Sequence, residues 1–426
     1  MRIYKQSEID SLLKILSERA ENISPEIMQT VSTVIADVRK NGDAALREYT
    51  KKFDKVELGS LFVTEEEQER LIAKVPDDLK EIIDEAAENI YKFHKKQLQN
   101  SWMTNENGKI MGQLVRPIEK VGLYVPGGTA AYPSSVLMNA IPAKVAGVKK
   151  ITIVTPPKSD GINPAVVYAA KKAGVTEIVS VGGAQAVAAL AYGTETIERV
   201  DKIVGPGNIF VAMAKKLVFG TVDIDMIAGP SEVLVIADDR ANPAYVAADL
   251  MSQAEHDPMA AAILITTSEK IANSVLVEIE AQKRTLPRNE IIDKSLKKYG
   301  SIILVENLNK AVEISNAIAP EHLELSAENP FELLTLVKNA GSIFLGDNAP
   351  EPLGDYFAGP NHVLPTNGTA RFSSALGVDS FIKKSSYLYY NAENLRAIGE
   401  KVIGFARAEG LDAHANSIIQ RMKREN

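Results

Sequence analysis

The 426-residue sequence contains no cysteine. Disulfides, thiolate zinc sites and thiol nucleophiles are therefore excluded, and any aldehyde oxidation must proceed without a cysteine thiohemiacetal. The N-terminal stretch lacks the continuous apolar core of a signal peptide. No window approaches the roughly 20 apolar residues of a membrane span. We expect a cytoplasmic protein with no membrane partner.

The chain has no excess of positive charge, because its 48 lysine and arginine residues are outnumbered by 55 acidic residues and the net charge is −7. No basic face is implied, so nucleic acid is not expected as a partner. Hydrophobic residues make up 45% of the chain and charged residues 24%, which is typical of a globular protein. The length exceeds what one ordinary core accommodates and predicts two or more domains.

From about residue 110, short apolar runs alternate with alanine-rich helical stretches. The first series of predicted strands is Val121–Val125, Ile151–Val154, Glu177–Val181, Lys202–Val204 and Val233–Ile236. The second is Ala260–Ile265, Ser301–Val305 and Ser342–Leu345. Strands that alternate with helices of roughly ten residues predict right-handed crossovers and mostly parallel sheets. The fold class is therefore α/β.

This pattern predicts two doubly wound, incomplete Rossmann-like α/β domains. We expect a helical N-terminal region at 1–119 that packs with the second α/β unit. The α/β domains are placed at 120–238 and 239–380. The tail, 381–426, shows two short helical stretches and no sheet signal.

Histidine is limited to five residues, and His256 closes a helix that begins at Asn242 and Pro243. Gln253 lies three residues earlier, so both side chains share a face of the last turn. An amide oxygen and a ring nitrogen could bind one metal ion there. On local grounds alone, a solvated or capping histidine is the more common outcome.

Glu321 and His322 follow Pro320, which places the pair at a loop or at the start of a strand. Adjacent glutamate and histidine offer two bases of different strength. Asp355 and His362 lie in the segment 351–362, where two prolines and two glycines predict an ordered loop. Asp355 is a hard oxygen donor suited to zinc. The alternative for both pairs is a solvated polar loop.

His414 is a candidate site residue in the tail, after an aspartate that could cap a short helix. The alternative is that His414 is an ordinary exposed histidine on that helix. His94 lies on a charged helix, and we predict a solvated helical face there.

Two glycine turns connect predicted strands to helices. The turn 204–208, VGPGN, offers main-chain N–H groups and a helix N-terminus to an anion. The turn 182–185, GGAQ, is similar. Neither is the G-x-G-x-x-G dinucleotide fingerprint, and an ordinary tight turn is the alternative for each.

Taken together, these segments closely resemble one family, the histidinol dehydrogenases, from about residue 25 to 420. The strongest stretches are VGLYVPGGTAAYPSSVLMNAIPAKVAGV (121–148), VGGAQAVAALAYGT (181–194), DKIVGPGNIFV (201–211), DMIAGPSE (225–232), QAEHDP (253–258), APEHLEL (319–325), GDYFAGPNHVLPTNGTARFSSALGV (354–378) and EGLDAH (409–414).

The resemblance implies a role for each matching residue. It implies one zinc ion per subunit, held by Gln253, His256 and Asp355 of one chain and His414 of the partner in a homodimer. The implied catalytic pair is Glu321 and His322. The implied substrate contacts are Ser231, Gln253, His256, His322, Asp355, His362, Glu409 and His414. The implied NAD contacts are Tyr124, Gln185 and Asn208. NAD then belongs to the first α/β domain, zinc and catalysis to the second, and dimerisation to the tail.

The implied activity is oxidation of L-histidinol to L-histidine through the aldehyde, with two NAD molecules consumed. Zinc would orient the substrate, His322 would take the alcohol proton, and Glu321 would activate water for the aldehyde step. Three alternatives stay open at this point. They are a sister zinc and NAD dehydrogenase of another small alcohol, a zinc hydrolase, and a binding protein without catalysis.

Overall fold

The computed structural model describes residues 1–5, 8–21, 25–127, 132–159 and 161–423. In chain order the strands are β1 Arg2–Lys5, β2 Trp102–Glu106, β3 Lys109–Pro117, β4 Lys120–Tyr124, β5 Lys150–Val154, β6 Glu177–Val179, β7 Lys202–Val204, β8 Asp223–Ile224, β9 Glu232–Ala237, β10 Ala261–Thr266, β11 Ser301–Leu304, β12 His322–Ser326, β13 Ser342–Leu345 and β14 Ile382–Tyr390. The helices are α1 Ile9–Glu21, α2 Pro25–Phe53, α3 Glu65–Ile72, α4 Asp77–Lys95, α5 Pro133–Ala146, α6 Pro164–Ala173, α7 Gly183–Tyr192, α8 Ile209–Val218, α9 Pro243–Ala254, α10 Glu269–Gln282, α11 Asn289–Tyr299, α12 Leu308–Ile318, α13 Pro330–Leu334, α14 Glu351–Tyr356, α15 Ala392–Ala408 and α16 Asp412–Met422.

The chain divides into two compact units. The larger unit comprises Met1–Gln97 and Ile118–Phe381, and the smaller unit comprises Leu98–Pro117 and Ile382–Asn426. The larger unit contains two parallel sheets flanked by helices, so the predicted α/β class is confirmed. The division into four domains stays a prediction.

The first sheet of the larger unit has five parallel strands in the order β6-β5-β4-β7-β8. The apolar runs that predicted these strands are buried, as parallel strands covered on both faces require. Helices α5 and α6 pack on one face together with α3 and α4. Helices α7 and α8 pack on the other face with α2.

The second sheet of the larger unit has six parallel strands in the order β1-β11-β10-β9-β12-β13. Its central strands β9, β10 and β12 are fully buried. The prediction that placed Val233–Ile236 in the first series of strands was wrong, because β9 pairs with β10 and β12. Helices α9, α10 and α11 cover one face, and α1 and α12 cover the other. Within the region 1–119, β1 and α1 therefore join the second α/β unit, whereas α2, α3 and α4 pack on the first.

The smaller unit is built on a three-stranded antiparallel sheet in the order β14-β3-β2, with α15 and α16 packed together. The prediction that the tail carries no strand was wrong. Residues Ile382–Tyr390 mix lysine, serine and tyrosine and are largely exposed, so they lack the apolar run by which buried strands are recognised. These residues form a strand because they pair antiparallel with β3, with Ile382 opposite Pro117.

A bilayer span needs a long apolar helix. Among the residues described above, none of the helices meets that requirement.

Candidate active site

A cavity of about 420 Å³ lies in the larger unit, where the two parallel sheets present opposite ends. The five-stranded sheet contributes the turns that follow β4 and β7, at the carboxyl ends of its strands. The six-stranded sheet contributes residues at the amino ends of β9 and β12. Ligand sites in parallel sheets usually lie at the carboxyl ends, so the second contribution is unusual.

His322 is the first residue of β12 and is buried. Its Nδ1 lies 2.9 Å from the main-chain oxygen of Glu232, so Nδ1 carries the proton and donates it to that carbonyl. The free Nε2 lies 3.8 Å from Asp355 Oδ1 and 4.0 Å from Glu351 Oε1. Burial lowers the pKa of His322. The imidazole is therefore a neutral base whose lone pair faces two carboxyl groups.

Glu321 is buried beside this histidine. Its Oε2 accepts a hydrogen bond of 3.0 Å from the main-chain N–H of Glu232 and lies 3.9 Å from His322 Nδ1. Burial raises the pKa of Glu321 well above its usual value. A carboxylate whose pKa is raised is a stronger base than an exposed one, which suits a role in proton transfer.

Asp355 lies on helix α14, so the prediction of a loop was wrong for this segment. Pro350 precedes the helix and Pro352 falls in its first turn, where proline starts a helix rather than breaking it. Glu351 is four residues before Asp355, so both carboxyl groups lie on one helical face. Burial raises the pKa of each to about 7.

The atoms that could bind a metal ion converge at this face of α14. One ligand atom each from His322, Glu351 and Asp355 lie within 4.8 Å of one another. One end of the Gln253 amide lies 3.2 Å from both Glu351 Oε1 and His322 Nδ1. No described hydrogen-bond donor reaches the buried Nε2 of His322. Nitrogen and oxygen donors of this kind fit Zn²⁺ or a similar divalent cation.

Several residues implied by the resemblance line the same cavity. The structure places Ser231, Gln253, His256, Asp355 and His362 on its wall. His362 Nδ1 lies 3.0 Å from the main-chain oxygen of Asp355, and burial lowers the pKa of His362 to about 4. This imidazole is therefore neutral at physiological pH. Three of the four implied zinc ligands thus share one cavity.

The implied NAD contacts lie at the carboxyl ends of the first sheet. Tyr124 ends β4, and its hydroxyl accepts a 3.0 Å hydrogen bond from the Gly183 main-chain N–H. Gln185 is buried in the first turn of α7. Tyr124 and Asn208 line a second cavity of about 700 Å³, which shares Pro126 and Asn208 with the first.

A buried ion pair holds the glycine turn beside Asn208. Lys215 pairs with Asp225 and donates a 3.0 Å hydrogen bond to the Gly205 carbonyl. Asp225 accepts a 2.8 Å hydrogen bond from the Gly205 N–H. Gly205 has a φ of +108°, and a Cβ atom there would lie 2.2 Å from the Tyr124 carbonyl oxygen. Only glycine fits this position.

The two remaining candidate residues belong to the smaller unit. Glu409 follows α15, and His414 lies in the first turn of α16. Both side chains are exposed. Their implied contribution to a partner subunit's site stays a prediction.

The prediction of a solvated His94 was wrong. Its side chain is fully buried, with Nδ1 2.7 Å from Gln97 Oε1 and Nε2 3.4 Å from the Asn361 amide. His94 continues the buried stripe of α4 that includes Ala87 and Ile90. Its helical spacing from those residues, and not the charge of its neighbours, was the informative signal.

Sequence reasoning also missed a group of buried carboxyl groups. The sequence analysis did not identify Glu351 as a site residue because it predicts a loop for this segment. The four-residue spacing of Glu351 from Asp355 is nevertheless visible in the sequence. Glu324, on β12, accepts a 2.9 Å hydrogen bond from the Glu351 N–H. Asp249 is hydrogen-bonded to Glu324, and burial raises the pKa of Asp249 to about 6. No motif singled out either of these two.

A main-chain-anchored histidine, a buried glutamate and a set of possible metal ligands in one cavity are features expected of an α/β enzyme that uses acid–base chemistry. A sequence model described as histidinol dehydrogenase matches residues 17–422. The histidinol dehydrogenase of Clostridium acetobutylicum is 59% identical and covers 99% of each chain. That of Geobacillus kaustophilus is 57% identical, with 96% of this chain and 97% of the relative covered.

The crystal structure of histidinol dehydrogenase from Elizabethkingia anophelis superimposes with a TM-score of 0.94. It is 43% identical in sequence and covers 99% of this chain and 98% of that one. The chain therefore belongs to the histidinol dehydrogenase family, as the sequence motifs predicted.

Proposed function

We propose that the protein oxidises L-histidinol to L-histidine through L-histidinal in two NAD-dependent steps, the final step of histidine biosynthesis. Family membership supports the substrate. The observation that carries the chemistry is the neutral His322, with Nδ1 tied to a main-chain carbonyl and Nε2 open toward the cavity. Of the alternatives, a sister alcohol dehydrogenase is the nearest, and the relatives do not favour it.

His322 takes the proton of the substrate alcohol at Nε2 as hydride leaves the carbinol carbon for NAD. Glu321, whose pKa burial raises, activates a water molecule that adds to the bound aldehyde. His322 releases its first proton to solvent and then takes a proton from the hydrated aldehyde during the second hydride transfer. Two neighbouring bases of different strength suit a reaction with two different deprotonations. The carboxyl groups facing Nε2 favour its protonated form after each transfer.

Gln253, His256 and Asp355 would hold zinc together with His414 of the partner subunit. Zinc bound there would supply a Lewis acid that orients the substrate. His322 stays outside this ligand set and acts as the base. A competing set of His322, Glu351 and Asp355 is favoured by the spacing of their ligand atoms. Zinc content of a His322 variant discriminates between the two sets.

Ser231 and His362 are proposed to contact the substrate from the same chain, and Glu409 from the partner. Tyr124, Gln185 and Asn208 are proposed to contact NAD. In support, Tyr124 and Asn208 line a cavity that adjoins the first one at Asn208, so hydride donor and acceptor can meet. Gln185 is not among the described residues that line either cavity. A cytoplasmic location follows from the biosynthetic role and stays a prediction.

The active unit is proposed to be a homodimer with shared sites. In support, the smaller unit exposes a set of large apolar side chains: Trp102, Met103, Met111, Leu388, Tyr389, Val402, Phe405 and Leu411. Exposed apolar clusters of this kind mark interfaces. A two-fold dimer would contain two equivalent sites.

The function is tested by following NADH absorbance with the purified holoenzyme and L-histidinol. We expect two NADH per histidinol and L-histidine as product. A comparable rate with an alcohol that lacks the imidazole would favour the sister dehydrogenase instead. Amide hydrolysis without NADH formation would favour a zinc hydrolase.

The shared site is tested by mixing His414→Ala and His256→Ala chains, each expected to be inactive alone. A mixed dimer carries both lesions in one site and none in the other, so up to about one working site per dimer should return. If subunit exchange is verified and no activity returns, His414 acts within its own chain.

A further inference from the structure

The guanidinium of Arg19, near the end of α1, is completely buried against the start of β9. It forms an ion pair with the carboxylate of Glu232, the first residue of that strand. Its Nη1 donates a 3.0 Å hydrogen bond to the Met259 carbonyl oxygen. Longer contacts of 3.4 and 3.5 Å reach the carbonyl oxygens of Pro230 and Ser231. One side chain therefore fixes the whole segment that leads into β9.

That segment orients both proposed catalytic groups through the main chain of one residue. The N–H of Glu232 donates to Glu321 Oε2 at 3.0 Å. The carbonyl oxygen of Glu232 accepts the proton of His322 Nδ1 at 2.9 Å. A shift of this residue would misplace the carboxyl group and rotate the imidazole together. Displacements of about 1 Å are enough to slow catalysis about 100-fold.

We infer that Arg19 is a positioning residue for the reaction, acting on Glu321 and His322 through Glu232. The inference rests on the proposed roles of that pair. Arg19 is not among the described residues that line the catalytic cavity, so it has no direct contact with the substrate. Its effect should therefore appear mainly in turnover, with a smaller change in the KM for histidinol through its contact with the Ser231 carbonyl.

The chemistry of the contact favours this role over simple anchoring of α1. Burying a charged pair is seldom the most stable solution, because desolvation offsets much of the attraction. The Nε of Arg19 has no described partner, which adds to that cost. Leu12, on the same helix, is almost fully buried in the apolar core and supplies anchorage without any charge. A planar guanidinium adds what an apolar residue cannot, namely directed bonds to several acceptors.

The test compares Arg19→Met with Leu12→Ala in the holoenzyme. Arg19→Met should lower kcat about 10–100-fold, with the KM values for histidinol and NAD changed less than about threefold. Leu12→Ala removes core packing from the same helix and should lower the thermal midpoint while leaving kcat within about twofold. Arg19→Lys keeps the charge and one contact, and should recover part of kcat. The pH profile of kcat should shift for Arg19→Met only.

A folded Arg19→Met enzyme with normal kcat overturns the inference. So does an equal loss of kcat in Leu12→Ala at a matched loss of stability, since Arg19 would then only anchor the helix. If Arg19→Met does not fold, the double variant Arg19→Met with Glu232→Gln leaves no unpaired buried charge. It should fold and show the same loss of kcat, and normal kcat in it overturns the inference.

His322→Asn and Glu321→Gln are assayed in parallel, so that the proposed catalytic pair and the positioning role of Arg19 are tested separately. If both lose turnover and Arg19→Met does not, the positioning role alone is wrong. If His322→Asn and Glu321→Gln stay fully active, the proposed catalytic pair is wrong and the role of Arg19 falls with it.

Discussion

The two parallel sheets of the larger unit contribute to the candidate site in different ways. The five-stranded sheet presents carboxyl ends, where a glycine turn and the start of α8 offer main-chain groups. The six-stranded sheet presents amino ends, where Glu321 and His322 stand beside Glu232. The first sheet is suited to binding a large cosubstrate, and the second holds the groups proposed to transfer protons.

The difference extends to the charges behind each surface. Behind the glycine turn, Lys215 and Asp225 pair with each other, and their charges compensate. Around His322 the buried groups are mostly acidic, and burial raises the pKa of Glu351 and Asp355 to about 7. Burying a carboxylate without a positive partner is unfavourable in free energy. The presence of several buried acids here therefore indicates that they stabilise a bound cation or a protonated intermediate. The comparison predicts that substitutions at the second sheet reduce turnover, whereas those at the first reduce NAD binding.

The largest effect is expected for His322→Asn. The amide can still donate to the Glu232 carbonyl but cannot accept a proton at the Nε2 position. Turnover should fall about 10²–10⁴-fold, while zinc content after dialysis stays at the wild-type level. Metal analysis and steady-state assays measure both. Loss of zinc together with activity would instead place His322 in the metal ligand set.

Glu321→Gln should produce the next largest loss, because it removes the base proposed to activate water. The step from histidinal to histidine should slow about 100-fold or more. Supplying histidinal directly isolates that step. The assignment would be reversed if the variant oxidises histidinal at the wild-type rate and fails only on histidinol.

The buried acids should also make the metal-free protein less stable as pH rises. The folded-state pKa values of Glu351 and Asp355, about 7, lie above those of the unfolded chain. The stability from their neutral forms is fully present below the unfolded values and is lost as pH rises through about 7. Relative to Glu351→Gln, the thermal midpoint of chelator-treated wild-type protein should therefore fall between about pH 4.5 and about pH 7.

Glu351→Gln is the matched control for this effect, since it keeps the size and removes the charge. Its pH dependence should be flatter, and zinc should restore the wild-type midpoint at high pH by binding the charged forms. A metal-free wild-type protein whose midpoint changes with pH in the same way as that of Glu351→Gln would contradict the raised pKa of Glu351.

Most of the buried parallel strands and the motif residues were predictable from the sequence, for physical reasons, whereas β1, β8 and β12 were not among the predicted strands. Strands such as β4 and β10 are apolar on both faces, and their runs stand out without any tertiary information. The strands β2, β3 and β14 were missed because they are antiparallel, with β2 and β14 largely exposed and β3 mostly half-buried. Their apolar residues do not form the continuous run that marks a buried parallel strand.

The residues that support the catalytic pair could not be predicted from the sequence, for a different reason. Arg19 and Glu232 are 213 positions apart and meet only when α1 packs near β9. Neither carries a local pattern that indicates a partner. Glu351 is the exception, because its spacing from Asp355 was readable once proline is allowed in the first turn of a helix.

The smallest expected effect concerns the first sheet and Asn208. Its side-chain oxygen accepts hydrogen bonds from the N–H groups of Phe210 and Val211, at 3.0 and 3.2 Å, and so caps α8. Asn208→Ala should cost about 1 kcal/mol of stability through the lost cap. If Asn208 also contacts NAD, the KM for NAD should rise about tenfold, roughly the value of one further hydrogen bond, with kcat little changed.

Asn307→Ala separates the two contributions. Asn307 caps α12 through the Lys310 N–H at 2.9 Å and does not line either cavity in the described part of the chain. It should lose similar stability without any change in the KM for NAD. If the two variants behave alike in the assay, Asn208 is only a helix cap. If Asn208→Ala lowers kcat instead, the turn after β7 also aligns the reacting atoms. The first sheet would then contribute to catalysis as well as to NAD binding.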